Sequence, residues 1–321
     1  MAMRVAVLGA GTMGHALALV FALGGHEVTL TDSSPATLER AGPLMEKALA
    51  TLVEAGEAPE GCTPDWLEGA VTRLPTLTAT VRDADLVVEA IVENPEAKRT
   101  LYAELDGAMR PDAVLASNTS YLDVFPLIPE RRQRRALIAH WYTPPYLVDL
   151  VDIVPGPQCE PGIAEGVVQL CREMGKVPVL MRKFVPGYVA NRIQSAVQLE
   201  VQKLLDDGVA TAEEIDTAIV HGIALRLPIL GVLAKADFTG LPMMQHAARN
   251  KMYEPPPATG TSPSLDALVE AGRTGVMSGA GYYDWGGRDP AALFEERDRR
   301  LLALKRALRE IGTMAGEGRD A

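Results

Sequence analysis

Basic residues are too few to balance the acids: 31 lysines and arginines face 42 aspartates and glutamates in 321 residues, a net charge of −11. A chain without a basic excess offers no electrostatic footprint for nucleic acid or an anionic membrane, so neither is expected as a partner and a small molecule is. Cysteine is scarce too. Cys62, Cys159 and Cys171 are odd in number, widely spaced and form no C-x-x-C pair, which excludes a disulfide framework and a zinc site. No metal is expected, and a reducing cytoplasm is the expected compartment. The apolar stretch after Arg4 is interrupted by Thr12 and His15, punctuated by glycines and followed by no small-x-small cleavage site, so it reads neither as a secretory leader nor as a membrane span. Internal repeats are lacking. What remains is 47% apolar and 23% charged residues, the proportions of an ordinary globular protein, in a length that suits two domains.

Seven short apolar runs mark the first half: 4–9, 27–32, 85–90, 113–117, 136–140, 150–154 and 177–181. They are continuous in Val, Leu and Ile, which is the pattern of strands buried on both faces of a largely parallel sheet. Helical patterns lie between them. Residues 94–107 open on an N-capping asparagine followed by proline and end at a glycine. This alternation predicts a doubly wound α/β domain over residues 1–184. The pattern changes at Val185-Pro186-Gly187. Val189, Ile193, Val197, Val201 and Leu205 then draw one stripe along a helix that stops at Gly208, and Thr211 to Glu214 reads as a capping box. Residues 185–321 are therefore predicted to form an all-helical domain, with a loop at 255–263, a charged helix at 290–310 and a frayed tail.

Gly9, Gly11 and Gly14 stand in a G-x-G-x-x-G motif with Thr12 and Met13 between the last two, directly after the first strand, and Asp32 ends the second strand 18 residues on. The glycines suit a tight turn, a close backbone approach to a pyrophosphate and close helix packing. Asp32 can accept hydrogen bonds from a ribose hydroxyl but would repel a 2′-phosphate, and Ser33-Ser34-Pro35 holds no arginine to receive one. NAD is the expected cofactor.

Polar residues occupy further positions that a core does not need: Ser117 to Ser120 after one strand, His140 at the end of another, Asp152 in the next, and Asn191 at the start of the long helix. On their own, His140 is readable as a structural histidine, Ser120 as a turn residue and Asn191 as a helix-start residue. Their surroundings carry more. GAGTMG (9–14), EAIVENPEAK (89–98), ASNTS (116–120), AHWYTPPYLVDLVDIVPG (139–156), GKVPV (175–179), VPGYVANRIQ (185–194) and GAGYYDW (279–285) follow one another in the order found in the L-3-hydroxyacyl-CoA dehydrogenase family. The chain resembles that family, including its 3-hydroxybutyryl-CoA dehydrogenase and lambda-crystallin relatives, over nearly its full length.

The resemblance implies an NAD-binding Rossmann domain and a helical domain for substrate binding and dimerisation. It makes His140 the catalytic base, Asp152 the acid that orients it, and Ser120 and Asn191 the polar neighbours of the reacting oxygen. Glu93 and Lys98 match residues near the nicotinamide end. An imidazole titrates near working pH, and a carboxylate behind it fixes its tautomer, as alcohol oxidation requires. His15, His26, His221 and His246 match no catalytic position. The partners implied are a small hydroxy acid or acyl thioester and a second copy of the chain. A non-enzymatic, crystallin-like NAD-binding protein is the alternative of another class.

Several departures from the family pattern bear on the substrate. Asp152 stands where Glu is usual, Thr143 replaces Asn, Gly231-Val232 replaces Gly-Pro, and Met277 replaces a common Lys. Family members bind coenzyme A partly through the helical segment after the second strand. Here residues 36–70 set Arg40 and Lys47 against Glu39, Glu46, Glu54, Glu57, Glu60, Asp65 and Glu68. Such a field repels a polyanionic handle and favours a small free hydroxy acid over a thioester. Arg192 and Lys183 are candidate partners for its carboxylate, each equally readable as a surface charge or a domain-domain ion pair.

Overall fold

In the computed structural model, which describes residues 2–314, eight strands form one sheet in the order β3-β2-β1-β4-β5-β6-β7-β8. They are β1 (Arg4–Leu8), β2 (Glu27–Thr31), β3 (Val71–Arg73), β4 (Leu86–Glu89), β5 (Val114–Ser117), β6 (Ala136–Trp141), β7 (Leu150–Pro155) and β8 (Val177–Leu180). Every neighbouring pair is parallel except β6 and β7, which run antiparallel with His140 directly opposite Asp152. The continuous apolar runs become central strands: Val5 to Leu8 and Leu86 to Val88 are at most 2% exposed. The doubly wound domain expected from the sequence is present.

Helices α1 (Gly14–Leu23), α2 (Pro35–Glu54), α3 (Pro64–Ala70), α4 (Leu77–Val81), α5 (Pro95–Ala108), α6 (Glu130–Gln133) and α7 (Ile163–Glu173) connect the strands. Asn94 caps α5, accepting from the amides of Glu96 and Ala97 with Pro95 in the first helical position. The chain reverses direction across the sheet between β1 and β4. Ligands of open α/β sheets bind at such a switch point, beyond the carboxyl ends of the strands. The loops after β1, β2, β4, β5 and β6 therefore share one rim, and each carries a residue singled out from the sequence.

Contacts divide the chain into two compact units, one ending at Arg192 and the other starting at Ile193. Helix α8 (Ala190–Asp206) begins in the first unit. The second unit is helical: α9 (Ala212–Ala218), α10 (Leu227–Leu230), α11 (Leu233–Thr239), α12 (Leu241–Arg249), α13 (Pro263–Glu270) and α14 (Pro290–Ile311). The expected capping box forms, with the Thr211 hydroxyl accepting from the Glu214 amide and the Glu214 carboxylate accepting from the Thr211 amide. Two departures concern burial. The stripe along α8 is largely open, since Ile193 and Val197 are both exposed. Within α14, expected as a charged helix, Asp298 is nevertheless buried and accepts from Arg297. The expected tail beyond residue 314 lies outside the described residues.

Candidate active site

The glycine-rich loop fits a dinucleotide in three physical respects. Gly9 sits at φ +92, where an added Cβ would come within 2.7 Å of the Ala90 carbonyl oxygen. A Cβ on Gly14 would lie 1.6 Å from the Gly9 oxygen, so only glycine lets α1 start this close to β1. At Gly11 a Cβ would meet nothing within 4 Å, which leaves the side facing the helix N-terminus open for a phosphate. Thr12 is exposed, and Met13 precedes the first residue of α1.

Asp32 fastens this loop as well as facing it. Its Oδ2 accepts from the Ala10 amide at 2.7 Å and its Oδ1 from the Ser34 amide at 2.8 Å. Two charge-assisted bonds hold the carboxylate at the end of β2, where a ribose would lie. Asp32→Ala is expected to raise the dissociation constant for NAD about tenfold and to narrow its advantage over NADP, because the variant loses both the ribose acceptor and the loop's anchor. Fluorescence titration with NADH and NADPH checks this; an unchanged ratio between the two would remove Asp32 from cofactor selection.

Glu93 organises the loop after β5. Its Oε1 accepts from the Thr119 hydroxyl at 2.7 Å and from the amides of Ser120, Tyr121 and Leu122 at 2.9 to 3.1 Å. Burial pushes the Glu93 carboxyl up, but the Tyr121 amide, the Thr119 hydroxyl, Lys98 and the Leu122 amide outweigh it and hold the group below its usual value. Ser120 is thus placed by a carboxylate 27 residues away. Lys98 stands behind Glu93, 1% exposed, with Nζ 3.7 Å from Glu93 Oε2 and 2.6 Å from Glu89 Oε1. Glu89, which is 0% exposed, also accepts from the Tyr102 and Ser117 hydroxyls and the Ile91 amide. The sequence reading passed over Glu89, although it opens the quoted EAIVENPEAK run.

His140 is 4% exposed, and Asp152 is 1% exposed. The short aspartate does not reach the ring: His140 Nδ1 and Asp152 Oδ2 are 3.7 Å apart, beyond hydrogen-bonding distance. Tyr142 takes that oxygen instead, its hydroxyl donating to Asp152 Oδ2 at 2.6 Å. The Tyr142 ring stands edge-on to the imidazole at 4.6 Å, and Tyr188 lies against it at 4.7 Å. Tyr188 adopts φ 51, is fully buried and donates to the Thr119 carbonyl, which ties the turn before α8 to the Ser120 loop. Asn191 is the second residue of α8, three beyond Tyr188. Asn118 accepts from the Trp141 amide at 2.8 Å and so joins the loop to β6.

The remaining candidates divide. Asp149 pairs with Lys176 at 3.3 Å. His15 and His26 bond to backbone atoms of Gly11 and Met3. Thr143 is exposed and donates to the Met13 sulfur, so the residue that departs from the family motif touches the glycine loop. Lys183 and Arg192 are both exposed. Of the aromatic side chains near His140, Tyr142 and Tyr188 lay inside the quoted motifs. Strand alternation gave no signal for Tyr142, which is two residues from His140 but beyond the last residue of β6.

Comparison with known proteins places these features. Residues 4–184 match the 3-hydroxyacyl-CoA dehydrogenase NAD binding domain, and residues 187–285 match the C-terminal domain of the same family. A solved structure of 5-formyl-3-hydroxy-2-methylpyridine 4-carboxylic acid 5-dehydrogenase, described as an NAD+ dependent dismutase, superposes with a TM-score of 0.85 at 30% identity, covering 96% of this chain and 99% of that one. L-carnitine dehydrogenase of Streptomyces griseus is 32% identical over 98% of this chain and 92% of its own length. A probable 3-hydroxybutyryl-CoA dehydrogenase of Deinococcus radiodurans is 33% identical over 88% of this chain and all of its own.

Proposed function

Because this chain belongs to the 3-hydroxyacyl-CoA dehydrogenase family and is an NAD-dependent dehydrogenase, we propose that it oxidises the hydroxyl of a small free hydroxy acid, with His140 as the general base. Bound NAD supplies the hydride acceptor. The observation that carries the base assignment is the placement of a buried imidazole opposite a buried carboxylate at the rim where the glycine loop ends. His140 accepts the hydroxyl proton, and the nearby Asp152 charge favours the imidazolium that results. Ser120, fixed by Glu93, and Asn191, at the start of α8, hydrogen-bond the substrate oxygen and set its carbon toward the nicotinamide face.

The choice of a free acid rests on charge. Glu39, Glu46, Glu54, Glu60, Asp65 and Glu68 are all exposed on and between α2 and α3, a surface hostile to the phosphates of coenzyme A. The names of the carnitine and pyridine-carboxylate relatives support the same reading, since both substrates are small carboxylates. The 3-hydroxybutyryl-CoA dehydrogenase relative supports the thioester as the second reading. Initial rates of NADH formation on 3-hydroxybutyryl-CoA and on a panel of free hydroxy acids decide between them. The free acid is expected to give the higher kcat/KM, and a preference of about tenfold or more for the thioester overturns this choice.

A further inference from the structure

Asp152 has one oxygen facing His140, and that oxygen is already bonded to Tyr142. The consequence is visible in what is left over. Neither His140 Nδ1 nor Asp152 Oδ1 has a hydrogen-bond partner among the described residues, although both side chains are almost wholly buried. A buried imidazole and a buried carboxylate at 3.7 Å, with a phenol hydroxyl closing on the carboxylate at 2.6 Å, form a three-membered arrangement in which the tyrosine holds the shorter acid. The ring of Tyr142 also stands against the edge of the imidazole, so one side chain restrains both members. Tyr188 covers the ring as well, but its hydroxyl is committed to Thr119.

We propose that Tyr142 is a positioning residue for the reaction, its hydroxyl fixing the Asp152 carboxylate and tempering the charge that this carboxylate presents to His140. The inference rests on His140 being the base. A short phenol-to-carboxylate bond draws charge toward the donor, so less remains to stabilise an imidazolium. Burial, and then Asp152, push the Tyr142 hydroxyl above its ordinary value, which keeps it a neutral donor through the working pH range. The charged and titratable groups around His140 are Tyr142 just beyond the end of its own strand, Asp152 on β7 and Tyr188 in the turn before α8. Glu93, Asp123 and Tyr121 act on the two tyrosines from the loops after β4 and β5.

The pH dependence of kcat/KM tests this, because the acidic limb reports protonation of the free enzyme's base. Removing the phenol hydroxyl releases Asp152 to the ring, so Tyr142→Phe is expected to move that limb upward by about 0.5 to 1 pH unit, with NAD affinity unchanged. Asp152→Asn moves it downward. In the Asp152→Asn background the Tyr142→Phe change should have almost no effect on the limb, since its action passes through the carboxylate. A second variant has the opposite sign: 3-fluorotyrosine at position 142, a stronger donor, should shift the limb down. An unmoved limb in Tyr142→Phe, or an equal shift with and without the Asp152 carboxylate, overturns the proposal. A limb that survives in His140→Gln defeats the base assignment itself, and that result is separate from either of these.

Discussion

His140→Gln is expected to lower kcat by about 10²- to 10⁴-fold, the usual scale for loss of a general base, while the affinity for NAD stays within about twofold. The size of the effect follows from the fold. His140 occupies the end of β6, where all residues from Ala136 to Trp141 are buried, and its Nδ1 side is turned to Asp152 on β7. That leaves Nε2 as the nitrogen for the substrate proton. Glutamine retains a polar end of similar reach, but no atom of it takes a proton near neutral pH. NAD affinity is spared because the loop at 9–14 and Asp32 end other strands, β1 and β2, and share no hydrogen bond with His140. Stopped-flow measurement of NADH formation gives the rate, and titration with NADH gives the affinity. A variant that keeps more than about a tenth of the rate would show that the proton goes elsewhere.

Strands could be read from the sequence where burial alone determines them. β1, β4 and β6 each carry an apolar run, Val5 to Leu8, Leu86 to Val88 and Ala136 to Ala139, that is buried throughout, as strands covered by helices on both faces are. β3 was missed for the reciprocal reason. It is three residues at the sheet edge, Val71 to Arg73, with one buried side chain and two exposed ones, and only its pairing with β2 makes it a strand. Caps were legible because their chemistry is local: Asn94 and Thr211 bond to amides within three residues. The centre of the site was legible one residue at a time, through motif, but not as an arrangement. That Tyr142 takes the carboxylate oxygen facing His140 depends on a cross-strand distance, and the missing methylene of Asp152 left open whether the pair tightened or loosened. It loosened, to 3.7 Å, with a phenol holding the acid. The burial of Lys98 behind Glu93 was equally hidden, since a lysine near a cofactor motif gives no sign of facing inward.

That buried lysine underlies the other large effect. Glu89→Ala is expected to destabilise the first unit by about 3–5 kcal/mol, the usual cost of removing one partner from a buried ion pair. Lys98 Nζ lies 2.6 Å from Glu89 Oε1, and the side chains are 1% and 0% exposed. Without Glu89 the ammonium keeps, among the described residues, the more distant Glu93 at 3.7 Å, and the hydroxyls of Tyr102 and Ser117 lose this acceptor. In a unit of this size about 1 kcal/mol corresponds to roughly 2–4 °C, so the melting temperature should fall by about 6–20 °C. Lys98→Met, which leaves the carboxylate uncompensated, should cost a comparable amount. Combining the two changes should cost clearly less than their sum, because each single variant's penalty is largely the stranded charge of the other partner. Activity should fall with stability, since Glu89 ends β4 immediately before the segment that brings Glu93 to the Ser120 loop. Calorimetry of the four proteins measures the coupling. A melting temperature for Glu89→Ala within about 2 °C of the parent would mean that the Lys98 charge is relieved by solvent or by loss of its proton, and the pair would then be no part of what holds the site in place.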